Sequence, residues 1–289
     1  TCLSFMGSSL FSAITPEQEA LLKELPADQR AAMEERMKAS EELEEDVKDE
    51  INIDVKFPLD VKDSDVLLIT PSADFFAEPH VDGLIGYAKV FHQAGISWTL
   101  SSHASEAANF GMFIGSYDNM RKLALRIREA ALELNVKRII FGECGHAWRV
   151  AYSFLNTLAG PFDFLDSRYP VPQHICELTH DLMNRNVLKF DKSANDDMTL
   201  TYHDSCNVAR ASNMGDILGG QFSVPRDIIK ATVNNFYDME EESIKEKTYC
   251  CGGGGGLLTD DLIELRMKGA LPRMEALKRV VEDHGVTHM

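Results

Sequence analysis

The sequence predicts an α/β protein: two pseudo-repeated lobes with mostly parallel sheets flanked by helices, preceded by an N-terminal helical segment. Three observations predict it. Short apolar runs of buried-strand type alternate with longer amphipathic stretches from Val66 onward, the alternation restarts near Met198, and both passes share one order of strands, polar turns and helices. Such alternation is the pattern of a parallel sheet covered by helices.

The elements follow in order. Residues 1–64 are an acidic helical segment and linker. Thr15-Pro16-Glu17-Gln18 offers an N-cap, a first-turn proline and a capping-box glutamine. Pro26 ends that helix, and a second, charged helix runs to about Glu45. The first repeat spans 65–195. Val66-Leu67-Leu68-Ile69-Thr70 is apolar and partly β-branched, a strand buried on both faces. A helix over 82–94 stops at Gly95, and Ile96–Leu100 is the next strand. A helix over 118–134, a strand Val136–Phe141, and helices Ala147–Leu158 and Gln173–Asn184 complete the pass. The second repeat spans 196–289. It has a strand Met198–His203, a helix 225–233 opened by Pro225, a strand Lys247-Thr248-Tyr249, a helix 259–283 interrupted near Gly269 and Pro272, and a strand Gly285–Met289.

The two passes overlay. Thr70-Pro71-Ser72-Ala73 falls against His203-Asp204-Ser205-Cys206, Ser101-Ser102-His103 against Cys250-Cys251-Gly252, and Val136 against Val286. A shared order at this period points to duplication of a domain.

Composition narrows the function. The 289 residues are 44% hydrophobic, and the longest apolar runs are far too short for a direct membrane span. A net charge of −17 argues against nucleic acid as a partner, because phosphates need a basic surface. The run Glu41-Glu42-Leu43-Glu44-Glu45-Asp46 is a solvated helix end or a docking site for a basic partner. The chain opens Thr1-Cys2-Leu3, without an initiator Met or a basic leader, and reads as a cut inside a longer polypeptide.

Six cysteines carry the chemistry: Cys2, Cys144, Cys176, Cys206, Cys250 and Cys251. Without an export signal, a disulfide framework is not expected. Cys206 ends Tyr202-His203-Asp204-Ser205-Cys206, and Cys250-Cys251 opens onto five glycines, Gly252 through Gly256. Turns at the carboxyl ends of parallel strands converge on one crevice, so these cysteines are expected to meet. Thiolates are soft ligands suited to iron–sulfur clusters, and glycine backbone such as Gly252 and Gly253 can approach a bulky cofactor closely. A phosphate loop is the poorer reading, since no Lys-Ser or Lys-Thr follows the glycines. Cys144, in Glu143-Cys144-Gly145-His146, is a ligand, a redox thiol or a neighbour of one. Cys176 is a packing residue, and Cys2 a packing residue or a remnant of an upstream cluster segment. His203 and His146 either donate a hydrogen bond or proton to a sulfur centre or cap their loops.

Cys206, a gap of 43 residues and Cys250-Cys251-Gly252 resemble the cysteine-rich "CCG" domain of heterodisulfide reductase-like iron–sulfur proteins. The strings Tyr202–Cys206, Tyr249–Gly256 and Gly142–His146 are most similar to the DsrK-type subunit of the membrane complex linked to dissimilatory sulfite reductase. The resemblance covers about residues 65–289. It implies a noncubane [4Fe–4S] cluster held by Cys206, Cys250 and Cys251, with Cys144 as a further candidate. It implies a thiol–disulfide or trisulfide reductase subunit at the inner face of the cytoplasmic membrane. The implied substrate is a small sulfur-carrier protein of DsrC type, and the implied partners are a membrane haem/quinone subunit and other iron–sulfur subunits. The resemblance equally admits a glycolate or lactate oxidase subunit or a methanogen-type heterodisulfide reductase. Two departures leave room for a cluster-free interaction module. The family's closing Cys-x-x-Cys falls past Met289, so a second repeat truncated before it is expected, and Ser72, Ser101 and Ser102 stand at ligand positions of the first repeat.

Overall fold

The computed structural model describes residues 57–70, 78–106, 108–253, 255 and 260–289, with the isolated positions Ala27, Glu44 and Lys48. The capping motif at Thr15, the turn at Pro71–Ala73, Cys2, Gly254 and Gly256 lie outside them. The chain divides into two compact units interleaved in sequence. One holds residues 1–108, 121–142 and 156–172, and the other 109–120, 143–155 and 173–289.

The first unit is built on strand β1 (Val66–Ile69), all four residues of which are at most 1% exposed. Helix α1 (Glu78–Ala94) buries Leu84, Tyr87, Ala88 and Phe91, a core stripe at helical spacing. Gly95 closes it at φ +63°, the left-handed geometry glycine tolerates at a helix end. β2 (Trp98–Thr99) pairs parallel with β1 in register Val66–Trp98. Trp98 packs on Phe91, ring centroids 5.2 Å apart. The chain passes through α2 (Ala108–Phe113) and the start of α3 (Tyr117–Glu133), which belong to the second unit from residue 109 to 120, and then reaches β3 (Arg138–Phe141). β3 pairs parallel with β1 over its whole length, Val66–Arg138 to Ile69–Phe141. β1 is thus central, with β2 and β3 on its two sides.

Beyond β3 the helix expected over Ala147–Leu158 starts earlier and is broken in style. It runs as α4 (Gly145–Val150), a π-helical turn Ala151–Leu155, and α5 (Asn156–Ala159). β4 (Gln173–His174) then leads into α6 (Ile175–Asn184). α6 starts on a capping box in which His174 Nδ1 accepts the Cys176 N–H and Glu177 accepts the His174 N–H.

In the second unit β5 (Thr199–Leu200) leads to α7 (Cys206–Ala209), α8 (Gly220–Thr232) and β6 (Asn235–Phe236). β6 pairs parallel with β5. After α9 (Ile263–His284) the chain returns along the other side of β5, where Leu200 bridges His288 in parallel. Within the second unit the order is thus β6-β5-(286–288), with Val286, the residue set against Val136, entering the returning segment; Cys250-Cys251 do not follow β6, so the pairing of Ser101–His103 with Cys250–Gly252 has no matching strand before it.

Three details differ from the expectation. The second strand of this unit is Asn235–Phe236, not Lys247–Tyr249; Lys245–Lys247 instead form a 3₁₀ turn. Pro225 lies inside α8 rather than at its start. α9 runs unbroken through Gly269 and Pro272, and Pro272 and Lys268, the carbonyl that loses its donor, are both exposed, so water can serve that carbonyl. α9 packs Ala276 and Val280 on Met239, Ile244 and Val286. No helix among the described residues is long and apolar enough to cross a membrane.

Candidate functional site

Every described cysteine lies in the second unit. Cys206 is the first residue of α7, behind Ser205. It is half-buried, and the side-chain amide of Asn207 stands 3.8 Å from its Sγ. Cys144 occupies the N-cap of α4 at φ −60° and ψ 105°, its carbonyl accepting the Trp148 N–H at 2.9 Å.

Gly145 lets these two cysteine turns meet. A Cβ there would stand 2.7 Å from Ser205 Oγ, 3.3 Å from Val208 Cγ2 and 3.4 Å from Asn207 Cβ. Only glycine fits this approach of α4 to α7. His146 follows, its ring edge-on to Phe113 at 5.1 Å. Its Nε2 is 3.1 Å from where a Cβ on Gly255 would sit, so Gly255 lies against the imidazole. Burial, and then the charge of Arg149, lower the His146 pKa and favour the neutral ring.

Cys250 and Cys251 are exposed. The Gly252 N–H donates to Cys250 Sγ at 3.3 Å, and the Gly253 N–H to Cys251 Sγ at 3.4 Å. Gly252 has φ +82°, and a Cβ on it would stand 3.0 Å from Ala270 Cβ and 3.1 Å from the Arg266 carbonyl. The turn is therefore pressed onto α9, where Arg266 Nε donates to the Gly252 carbonyl at 2.8 Å.

Behind the cysteines lies a buried polar frame. The Asp204 carboxylate, 1% exposed, accepts Arg226 Nη1 and Nη2 at 2.8 and 2.6 Å and the Lys245 N–H at 2.7 Å. Its backbone carbonyl accepts Thr248 Oγ1 at 2.7 Å. The chain two residues before Cys206 is thus bonded to the chain two residues before Cys250. Arg273, 2% exposed, donates to Thr248 Oγ1 at 2.6 Å and to the Ser243 carbonyl at 2.7 Å. His203 is held neutral: burial first, and then Arg273, push it down to about 4 against the pull of Asp204. Its buried Nδ1 has no partner among the described residues.

The structure thus ties the stretches bearing Cys206, Cys144 and Cys250 to one another, and lays Gly255 against His146. It does not gather the thiols fully: among the described residues no three His, Cys, Asp or Glu side chains form a group able to hold a metal ion. Cys176 is set apart chemically. Burial, then the Glu177 and Glu143 charges, push its thiol up to about 12, which suits a neutral packing residue. Sequence reasoning missed Arg226, Thr248 and Arg273. Nothing local marks them, since each acts through a partner 22 to 44 residues away.

Soft thiols, amide N–H groups aimed at two of the sulfurs and a buried guanidinium in electrostatic range of Cys251 make a donor set that suits a negatively charged sulfur centre.

Comparison with known proteins finds similar iron–sulfur subunits. The Hdr-like menaquinol oxidoreductase iron-sulfur subunit 2 of Archaeoglobus fulgidus is 38% identical over 272 residues, covering 84% of this chain and 48% of that protein. The Hdr-like menaquinol oxidoreductase iron-sulfur subunit of Archaeoglobus profundus is 37% identical over 275 residues, with the same shares. The chain spans about half the length of these curated relatives. No family model matches, and no solved structure matches.

Proposed function

We propose that the chain is part of an Hdr-like iron–sulfur oxidoreductase subunit, working in a peripheral complex on the cytoplasmic face of the membrane with a quinone-linked partner. The observation that carries the proposal is the pair of N–H···S hydrogen bonds at Cys250 and Cys251, on a turn bonded through Thr248 to the Cys206 segment. Amide donors on thiolate sulfur are a device of iron–sulfur sites, where they stabilise negative charge and tune potential. The similarity to two iron–sulfur subunits supports the same reading.

Cys206, Cys250 and Cys251 would hold the cluster, with Cys144 as a further candidate and Gly252 and Gly253 as sulfur hydrogen-bond donors. A bound cluster supplies single-electron steps between a one-electron relay and a two-electron sulfur bond. The balance is menaquinol → menaquinone + 2 H⁺ + 2 e⁻, and R–S–S–R′ + 2 e⁻ + 2 H⁺ → R–SH + R′–SH; a trisulfide takes two menaquinols, R–S–S–S–R′ + 4 e⁻ + 4 H⁺ → R–SH + R′–SH + H₂S. The menaquinol side rests on the relatives' names. The disulfide or trisulfide side, with a DsrC-type carrier protein, rests on the resemblance of the cysteine motifs to the DsrK-type subunit. His146, whose neutral form burial favours, and His203 are the groups proposed to exchange a proton as the sulfur bond is cleaved.

The test uses the full-length protein purified anaerobically. Iron and acid-labile sulfide should accompany it. Cys206→Ser and Cys251→Ser should lose the cluster, while Cys176→Ser should keep it. Turnover of a trisulfide-bearing carrier protein, set against a coenzyme heterodisulfide, separates the sulfite-linked reading from the methanogen-type one. Electron transfer without any sulfur substrate would favour an oxidase subunit. Unmodified protein free of iron and sulfide would leave an α/β interaction module.

A further inference from the structure

Among the described residues Arg273 is a buried cation without a counter-ion. Its residue exposure is 2%, and among the described residues it makes no ion pair. Its hydrogen bonds go to neutral groups: the Ser243 carbonyl, Thr248 Oγ1 and, at 2.8 Å, Met239 Sδ. Its Nε is buried without a partner among the described residues. The acid in its field, Asp204, is already bonded bidentately to Arg226 and to the Lys245 N–H. Arg226 by contrast has two carboxylates, Asp204 and Asp238. A buried charge persists only where an opposite charge compensates its lost hydration.

The missing anion has an evident place. Arg273 holds Thr248, two residues before Cys250, and lies near the Tyr249 ring at 6.0 Å. Burial lowers its pKa, while Asp204, Cys251 and Tyr249 pull it back up. Of these three, Cys251 is the group that becomes anionic when it binds iron.

We infer that Arg273 is the counter-charge of an anionic sulfur centre held at the Cys250–Cys251 turn, a positioning residue that acts through the field it places on that turn. The inference rests on the iron–sulfur reading above. The positive charge stabilises the more reduced, more negative state of the centre and raises its potential. The exposed turn keeps its thiols open to a partner, while the compensating charge sits beneath, where water does not screen it.

The experiment compares full-length wild type with Arg273→Gln, Arg273→Lys and Met239→Glu, and with exposed Lys268→Gln on the same helix as control. Iron and sulfide per chain and the EPR-monitored midpoint potential are read. Arg273→Gln keeps a donor for Thr248 and Ser243 but removes the charge. It should lower the oxidising power of the centre on the order of tenfold at an effective dielectric of about 20, which is about 59 mV for one electron. Arg273→Lys should stay near wild type. Met239→Glu leaves the arginine in place and neutralises it with a carboxylate, so it should shift the potential in the same direction as Arg273→Gln. Loss of the cluster from Arg273→Gln with retention in Arg273→Lys also supports the inference. It is overturned if Arg273→Gln or Met239→Glu keeps both its iron and the wild-type potential, or if Arg273→Lys shifts as far as Arg273→Gln. Iron-free wild type would overturn the functional reading instead, so the two failures are distinguishable.

Discussion

Asp204→Asn is a near-isosteric change at the joint between the two cysteine-bearing stretches, so it isolates the charge. The aspartate side chain has 0% exposure, and its Arg226 partner 6%. Three charge-assisted bonds end on this carboxylate: two from Arg226 and one from the Lys245 N–H. Asparagine offers one acceptor and turns an NH₂ group toward a donor. Bonds of this kind contribute roughly 1.5–3 kcal/mol each, and breaking one side of a buried ion pair costs about 3–5 kcal/mol. Arg226 retains Asp238 at 2.9–3.0 Å, which places the expected cost near the lower end, about 3 kcal/mol. That is a change on the order of 100-fold in the local opening equilibrium.

The effect should be local. Hydrogen exchange of peptides covering residues 244–250 reads it directly, because the Lys245 amide donates to Asp204 and the Lys247 and Thr248 amides close the adjoining 3₁₀ turn. Their protection should fall about 100-fold, while β1 and β3 in the other unit stay unchanged. Asp238→Asn is the comparison. Its carboxylate is 29% exposed, so its effect should be several-fold smaller. Unchanged protection in Asp204→Asn, or a larger effect from Asp238→Asn, would refute the assignment of Asp204 as the joint.

Further outcomes are expected. Gly252→Ala should loosen the cysteine turn, because φ +82° and a 3.1 Å approach to the Arg266 carbonyl leave no room for a methyl group; faster alkylation of Cys250 and Cys251 in the metal-free protein checks it. Gly145→Ala should destabilise the protein by about 1–3 kcal/mol through overpacking on Ser205 and Val208, with partial recovery in the double variant with Ser205→Ala; thermal denaturation reads both. Burial holds His174 at about 4 against the Glu143 backbone, and an ordinary histidine titrates near 6.5. The unfolded chain therefore binds the extra proton between these values, so stability is full above about pH 6.5 and falls as pH drops toward 4. His174→Asn, which still can cap α6, should reduce the slope of stability against pH in that window by about one proton. An unchanged slope would remove His174 as the source.

The strands at the centre of each unit were legible because their own residues carry the signal. Val66–Ile69 is apolar at every position, and all four positions are buried. Met198–His203 was found as a strand, although only Thr199–Leu200 pair regularly. β6 was missed because Asn235-Phe236 is two residues long and has no apolar run around it. Lys247–Tyr249 looked like a strand leading into the cysteine pair. Its conformation is set instead by distant partners: the Lys245 amide bonds Asp204, Lys245 takes φ +56°, and Thr248 bonds the Asp204 carbonyl. A proline inside α9 suggested a break because the local rule counts the lost N–H, whereas exposure of the affected turn decides whether that loss matters.

The site divides in the same way. Cysteines, histidines and glycines announce themselves by type and spacing, and the cysteine turns are tied together from below. The parts that hold them rigid are ordinary residues in helices. Arg226 follows a proline inside α8, and Arg273 follows one inside α9, so by local sequence the two arginines are alike. The difference lies in what surrounds them once folded. Arg226 is compensated by two carboxylates, so hydrogen bonds to Asp204 and Asp238 outweigh its burial and hold its pKa above the ordinary guanidinium range. Among the described residues Arg273 finds only neutral acceptors, and burial pulls its pKa down. In a chain carrying seventeen net negative charges, an arginine buried without a carboxylate among the described residues is what the proposed counter-charge role of Arg273 would require.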